Sequence, residues 1–334
     1  MSQKTLIFGG GAIGSYLAAC LNKAGHKIYF LCRGQHYKKI KSTKLKVHVY
    51  NNKTLKQEIF LQNSNDFQVI NNLKKINYVK FDNIFITTKI NNNLKKTFKL
   101  IEKFISKKTI IITPCTEIPF WWHECLNTKK KRNFEKKLFY LFLKNIRRKN
   151  LVGMTMWLSG KIISPGFIKI NHIQRGFPIK EVYGSRKKQV DILRKDLRKT
   201  TISPNVKNIF SEILIKSINS LAFNLIAIKY NQNNKFLNKN LIAKKEILNI
   251  LKEGDGILKL NRIRVFQSPK SRIKQTLKST THTMSMLNAL KNKKKIELRY
   301  LWLSVENLIN NINYKMLHTR KVYKQVLKKI NGHI

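Results

Sequence analysis

Six residues near the N-terminus, Gly9-Gly10-Gly11-Ala12-Ile13-Gly14, have the types and spacing to hold a pyrophosphate. They follow a short apolar run, Thr5-Leu6-Ile7-Phe8, and open a stretch of helical apolar spacing that ends at Gly25. Lys27-Ile28-Tyr29-Phe30-Leu31 then reads as a second strand, so the segment forms a β-α-β unit. In that setting Gly9 permits the tight turn, Gly11 lets the backbone approach an anion with no Cβ in the way, and Gly14 lets helix and strand pack closely. The helix start at Ala12, Ile13 and Gly14 adds unpaired N–H groups and the positive end of the helix dipole. A dinucleotide site is the expectation. The end of the second strand selects the dinucleotide: Leu31-Cys32-Arg33 stands where an NAD site places a carboxylate for the ribose 2′-hydroxyl. Arg33 can pair with a 2′-phosphate, which points to NADP.

The elements that must position these groups alternate. Asn83 to Thr87 and Thr109 to Ile112 are further apolar runs, each preceded by polar helical stretches, which predicts a parallel sheet covered by helices. Turn residues at Ser164-Pro165-Gly166 and Phe177-Pro178 suggest more short strands. From about Ser211 the apolar period lengthens to 3.6, and only Pro269 interrupts it. The expected fold is α/β, an N-terminal Rossmann (doubly wound) domain over residues 1–204 followed by an all-helical domain over 205–334.

Bulk composition narrows the class. A hydrophobic share of 42% in 334 residues fits two folded domains. No continuous apolar run reaches membrane-spanning length, the longest candidate being Phe139 to Leu143, and no secretory signal pattern opens the chain. A cytoplasmic protein without a membrane partner is expected. Lys and Arg number 68 against 16 Asp and Glu, a formal net charge of +52. Lysine is spread along the chain together with abundant Asn and Ile, which reads as composition drift rather than as a specific nucleic-acid interface, although the field favours anionic ligands. Residues 128–149 form a basic segment around an apolar patch, read as a surface helix or insertion. Cys115, His123 and Cys125 lack a fourth ligand and fit no zinc spacing, so no metal is expected.

The stretch from Gly9 to Leu45 resembles the ketopantoate reductase family, with Gly9, Gly11, Gly14, Gly25, His26, Arg33, Gly34 and His36 in place. The likeness continues through Ile86-Thr87-Thr88-Lys89, Ile118-Pro119-Phe120-Trp121, Ser164-Pro165-Gly166 and Arg175-Gly176-Phe177-Pro178. It reaches Glu212 to Lys216, Leu221 to Asn224, and His282, Ser285, Met286, Leu287 and Glu297. The resemblance implies reduction of ketopantoate to (R)-pantoate by NADPH, within pantothenate and coenzyme A synthesis. It also implies an active site between the two domains.

Hydride arriving at a ketone leaves negative charge on oxygen, so a proton donor must stand beside it. The resemblance assigns that role to Lys216, and its apolar neighbours Ile213, Leu214, Ile215, Ile218 and Leu221 should lower its pKa. On a helix, Ser220 and Asn224 share the flank of Lys216, where both can bind substrate. Glu297 can accept a hydrogen bond from a substrate hydroxyl and restrain the lysine, or simply pair with the run Lys293 to Lys295. Ser285 can donate to the substrate carboxylate. Lys89, at a strand end, can attract cofactor or substrate, or be an ordinary loop lysine.

Departures from the family pattern concentrate near these groups. Thr116 replaces an Asn that serves cofactor and substrate, and Glu117 replaces a glycine, which would strain the turn if positive φ were needed. Ser220 replaces an Asn, Leu225 a Pro that would break the helix, and Asn288 an Asp. The alternatives are therefore a reductase of another branched 2-keto acid, or a catalytically weakened NADP-binding relative. The partner is a small 2-keto acid, and the sequence leaves a homodimer open.

Overall fold

The computed structural model describes residues 2–51, 54–88, 94–114, 116–119, 121–122, 148–184, 186–278, 282–294 and 296–330. The basic segment at 128–147, Lys89, Cys115, Phe120, His123 and Cys125 lie outside them. The chain runs β1 (Lys4–Phe8), α1 (Ala12–Lys23), β2 (Lys27–Leu31), α2 (Gly34–Ser42), β3 (Leu45–Asn51), β4 (Thr54–Leu61), β5 (Phe67–Ile70), β6 (Asn83–Ile86) and α3 (Leu94–Ile101). It continues through β7 (Ile110–Ile112), β8 (Leu151–Met154), β9 (Trp157–Ser164), β10 (Phe167–Gly176), β11 (Ile179–Glu181) and α4 (Lys187–Arg198). Helices α5 (Ile209–Tyr230), α6 (Asn234–Lys239), α7 (Leu241–Leu260), α8 (Pro269–Leu277), α9 (Ser285–Lys291), α10 (Leu298–Asn311) and α11 (Leu317–Ile330) complete it. Two compact units divide between residues 209 and 210, and the described residues 116–119, 121 and 122 group with the helical unit.

In the first unit a seven-stranded sheet has the order β11-β8-β7-β6-β1-β2-β5. Every pairing is parallel except that of β11 with β8. The reversal of strand order beside β1 is the Rossmann switch point, where ligands meet the carboxyl ends of the strands. The outer edge of β5 is blocked by local side chains: Ser64 Oγ accepts from the Phe67 N–H and Asn63 Oδ1 from that of Val69. A second sheet, β4-β3-β10-β9, was not foreseen beyond the Pro165-Gly166 turn that joins β9 to β10.

Helix α1 lies in the core with residues of both sheets. Gly14 to Leu21 are all buried, and Leu17, Ala18 and Leu21 share a cluster with Ile28 and Phe30 of one sheet and Val47, Val49, Ile168 and Ile170 of the other. A helix apolar on every side needs cover on every side. His36 fastens the assembly: its Nδ1 accepts from the Gly166 N–H at 2.9 Å, which leaves Nε2–H to face Ser15 Oγ at 3.3 Å.

Beneath β1 runs a directional polar chain. Asn83 donates to Thr5 Oγ1, Thr5 Oγ1 donates to His26 Nδ1 at 2.9 Å, and His26 Nε2–H donates to Asp196 at 3.1 Å. The chain locks His26 as the neutral Nε2–H tautomer, and burial lowers its pKa, partly offset by Asp196.

In the helical unit α5 is the axis. Its 22 residues meet the length and composition of a membrane span, contrary to the expectation that no segment does. Lys216, Asn219 and Asn224 break up its apolar run in the sequence, which hid it. With 83% of its most apolar window buried inside the protein, α5 reads as a core helix. Gly254 of α7 allows close packing, since a Cβ there would fall 2.3 Å from Ile218. Arg272 of α8, 1% exposed, grips Asp255 of α7 at 2.5 Å and Asn219 of α5 at 3.2 Å. Pro269 opens α8 rather than breaking a helix, with Ser268 as its cap. Trp121 and Trp122 pack edge-on against Phe210.

A histidine held neutral in the fold takes up a proton on unfolding below about pH 6.5, so stability is full above that pH and falls as the pH drops toward the lowered native value. Denaturant midpoints should therefore decrease between pH 7.5 and 5.5, and His26→Gln should flatten that slope. An unchanged slope would remove His26 from the acid response.

Candidate active site

The glycine turn between β1 and α1 is held from three sides. The Gly9 N–H donates to Leu31 O, the Thr87 N–H to Phe8 O, and Thr87 Oγ1 to Gly9 O at 2.8 Å. Gly9 has φ +126°, a left-handed conformation that a side chain resists. A Cβ on Gly14 would lie 2.0 Å from Gly9 O, so the third glycine of the motif is set by helix-to-turn contact. Gly11 differs in kind. A Cβ there would meet nothing within 4 Å, so folding does not demand a glycine at this place. It is the helix N-cap, exposed, with no side-chain cap and no acidic residue in the first turn. The N–H groups of Ala12, Ile13 and Gly14 thus lie in the first turn of a helix whose dipole favours an anion. These features fit a dinucleotide pyrophosphate.

Gly10, the motif's second residue, has a structural role that its spacing does not reveal. A Cβ on it would come 2.2 Å from the Cβ of Cys32, so this glycine keeps the ends of β1 and β2 in register. Arg33, exposed, follows β2 as the N-cap of α2, which has no acidic residue in its first turn. A cationic side chain thus stands at a second helix start beside the end of β2, in a segment without an acidic residue in its first turn.

The helical unit carries the remaining candidates. Lys216 is half-buried on α5, and burial pushes its pKa down to about 8. Ser220, one turn on, is half-buried, and Asn224 is buried. The continuity of α5 through Leu225 shows the consequence of lacking proline there. Asn224 is already engaged at both ends of its amide. Its Nδ2 donates to Ser220 O at 2.8 Å, and its Oδ1 accepts the Met286 N–H at 3.0 Å. These bonds fix the amide's orientation and cap α9 from outside, because Met286 is in that helix's uncapped first turn. Ser285, the first residue of α9, is exposed beside this anchor. Glu297 is half-buried at the start of α10.

Thr116 has neither positive φ nor a strained neighbour: Glu117 also lies outside the left-handed region, so the anticipated cost of replacing glycine does not arise. Glu117 instead accepts the Thr116 N–H at 3.2 Å. Ser217 places its Oγ 2.6 Å from Thr116 O and 2.9 Å from Ile213 O. It ties the Thr116 segment to the residue next to Lys216, a link without any short-range signal in the sequence.

Residues 5–114 match the family model described as ketopantoate reductase PanE/ApbA. The whole chain resembles 2-dehydropantoate 2-reductase from Geobacter metallireducens GS-15, at 14% identity, 98% coverage of this chain and 99% of that one, and a TM-score of 0.77. It resembles a PanE/ApbA family ketopantoate reductase from Ralstonia eutropha JMP134 at 14% identity, 99% coverage of each chain and a TM-score of 0.73. D-mandelate dehydrogenase, solved with NADH and anilino(oxo)acetate, is similar at 18% identity, 99% coverage of each chain and a TM-score of 0.75. No curated protein sequence matches the chain. The full chain thus shares the fold of these solved proteins, and its match to the ketopantoate reductase PanE/ApbA model is confined to residues 5–114.

The two kinds of glycine separate by mutation. Gly14→Ala should lower stability by about 1–3 kcal/mol in denaturant titrations through overpacking. Gly11→Ala should cost less than about 1 kcal/mol, the ordinary disadvantage of alanine at a helix N-cap, yet weaken dinucleotide binding measured by calorimetry. Equal losses of stability in the two variants would contradict the distinction.

Proposed function

We propose that this protein reduces a 2-keto acid with NADPH, and that the substrate is 2-dehydropantoate (ketopantoate), giving (R)-pantoate for coenzyme A synthesis. The observation that carries the reading is Lys216, a desolvated ammonium on a core helix, with Ile213, Leu214, Ile215 and Ile218 buried around it in sequence. The bound cofactor supplies a hydride. Lys216 gives its proton to the ketone oxygen as negative charge develops there, and the neutral amine is reprotonated from solvent. With a pKa of about 8 the lysine is mostly charged at pH 7 yet gives up its proton more readily than a solvated lysine.

The other groups bind and orient. Gly9, Gly11, Ala12, Ile13 and Gly14 hold the pyrophosphate, and Arg33 pairs with the 2′-phosphate. Lys89 and Thr116 serve both ligands, Ser285 donates to the substrate carboxylate, and Ser220 and Asn224 flank the substrate. Glu297 accepts from its hydroxyl. Asn224 acts chiefly by holding the start of α9, since its amide is committed within the fold. That commitment, with Ser220 and Thr116 in place of longer amides, favours a second reading in which another branched 2-keto acid is the better substrate. Turnover across a panel of 2-keto acids separates the two.

Oxidation of NADPH by ketopantoate should slow about tenfold per pH unit above 8 as the ammonium is lost. Lys216→Ala should cost about 10²–10⁴-fold in kcat while retaining cofactor affinity. Equal rates in wild type and variant would remove Lys216 from the chemistry. Arg33→Ala should raise the KM for NADPH and leave that for NADH nearly unchanged; a wild type that prefers NADH would overturn the role given to Arg33.

A further inference from the structure

The second sheet of the first unit buries one face and leaves the other to solvent. Val47, Val49, Ile59, Leu61, Ile168 and Ile170 point into the core, so alternate residues point outward. The outward residues form rows across the strands. Phe60, Lys46 and Phe167 are register partners on β4, β3 and β10, and the next row is Glu58, His48, Lys169 and Lys161. Tyr50 lies opposite Leu55 one row further along. Lysine ammonium groups cover the ring faces: Lys169 sits 3.9 Å from the Tyr50 centroid, Lys44 4.6 Å from Phe60, and Lys46 5.2 Å from Phe167. Glu58, the acidic member of these rows, is 2.6 Å from His48. Phe60 is 46% exposed, an uncommon position for a phenylalanine in the middle of a sheet face.

We propose that this face binds single-stranded nucleic acid without sequence preference, stacking bases on Tyr50, Phe60 and Phe167 while Lys44, Lys46, Lys161 and Lys169 pair with phosphates. Cation–π contact at an exposed site is weak, so the lysines can leave the rings for phosphate oxygens as bases take their place. Aromatic platforms interleaved with cations meet both halves of a nucleotide, the flat apolar base and its anionic link. A polyanion without bases would use only the lysines. The wide spread of lysine in the sequence accounts for cations everywhere on the surface, whereas it does not account for three aromatic rings standing among them on one solvent face. This inference is independent of the reductase reading.

Fluorescence anisotropy with labelled oligo-dT and oligo-U tests it. The full chain should bind both, with a salt slope that includes about −2.8 from four phosphate contacts. Tyr50→Ala combined with Phe60→Ala should weaken binding at least tenfold at fixed charge. Lys46→Gln with Lys169→Gln should reduce the slope by about 1.4, more than Lys187→Gln with Lys188→Gln on α4. Phe60→Trp should give indole fluorescence that oligo-dT quenches and polyphosphate does not, and an unchanged thermal melt shows each variant folded. Equal binding by wild type and the aromatic double variant would overturn the proposal. So would equal affinity for polyphosphate or for anionic phosphatidylserine vesicles that the aromatic double variant retains, because charge alone would then suffice.

Discussion

Burial of α1 is the constraint from which the first unit follows. Eight consecutive residues, Gly14 to Leu21, have no access to solvent, and they include Tyr16 and Ser15 as well as small and aliphatic side chains. One sheet covers a single side of a helix, so a helix of this composition needs a second layer. The insertion β3–β4 and the hairpin β9–β10 supply it. Only the helix start, at Gly11, remains open to solvent while uncapped by a side chain. The uncapped helix start is therefore what remains exposed when the rest of this helix is enclosed, and its first-turn N–H groups are offered to solvent or a ligand.

The helical unit applies the same rule to a longer element with a different result. α5 is enclosed, yet it carries Lys216, Ser217, Asn219, Ser220 and Asn224. Removing such groups from water is costly unless each finds a partner. Ser217 spends its hydroxyl on backbone carbonyls, Asn219 receives Arg272, and Asn224 joins Ser220 to the start of α9. Burial also lowers the pKa of Lys216. In a chain where cations outnumber acids 68 to 16, positive charge cannot mark a site. Desolvation can.

The sequence was legible where local chemistry and local geometry coincide. A strand, Gly9 to Gly14 and a helix lie within twenty residues, so the turn, the β-α-β unit and the order of α/β before helices could be read directly. The second sheet was not. Its outer positions mix lysines with histidine, glutamate and aromatic residues, so the polar half of the period of two is blurred in a lysine-rich chain. Asn224 illustrates a different gap. Helical spacing placed it on the flank of Lys216, but the direction of its amide depends on Met286, 62 residues away. Thr116 belongs to the same class, since its carbonyl is fixed by Ser217 from a helix 101 residues further on.

The replaced family residues acquire a common physical meaning from these contacts. Proline at 225 would have broken α5 and freed a carbonyl one turn back; leucine keeps the helix whole and is itself fully buried. With the helix intact, Ser220 O sits within reach of the Asn224 amide, and that amide turns inward to cap α9. Asn224 is thereby spent on rigidity, and Ser285 stands at a helix start that this amide holds. A buried amide committed to two backbone groups stabilises the junction of α5 and α9, because leaving either the amide or the helix start unpaired would carry a desolvation cost.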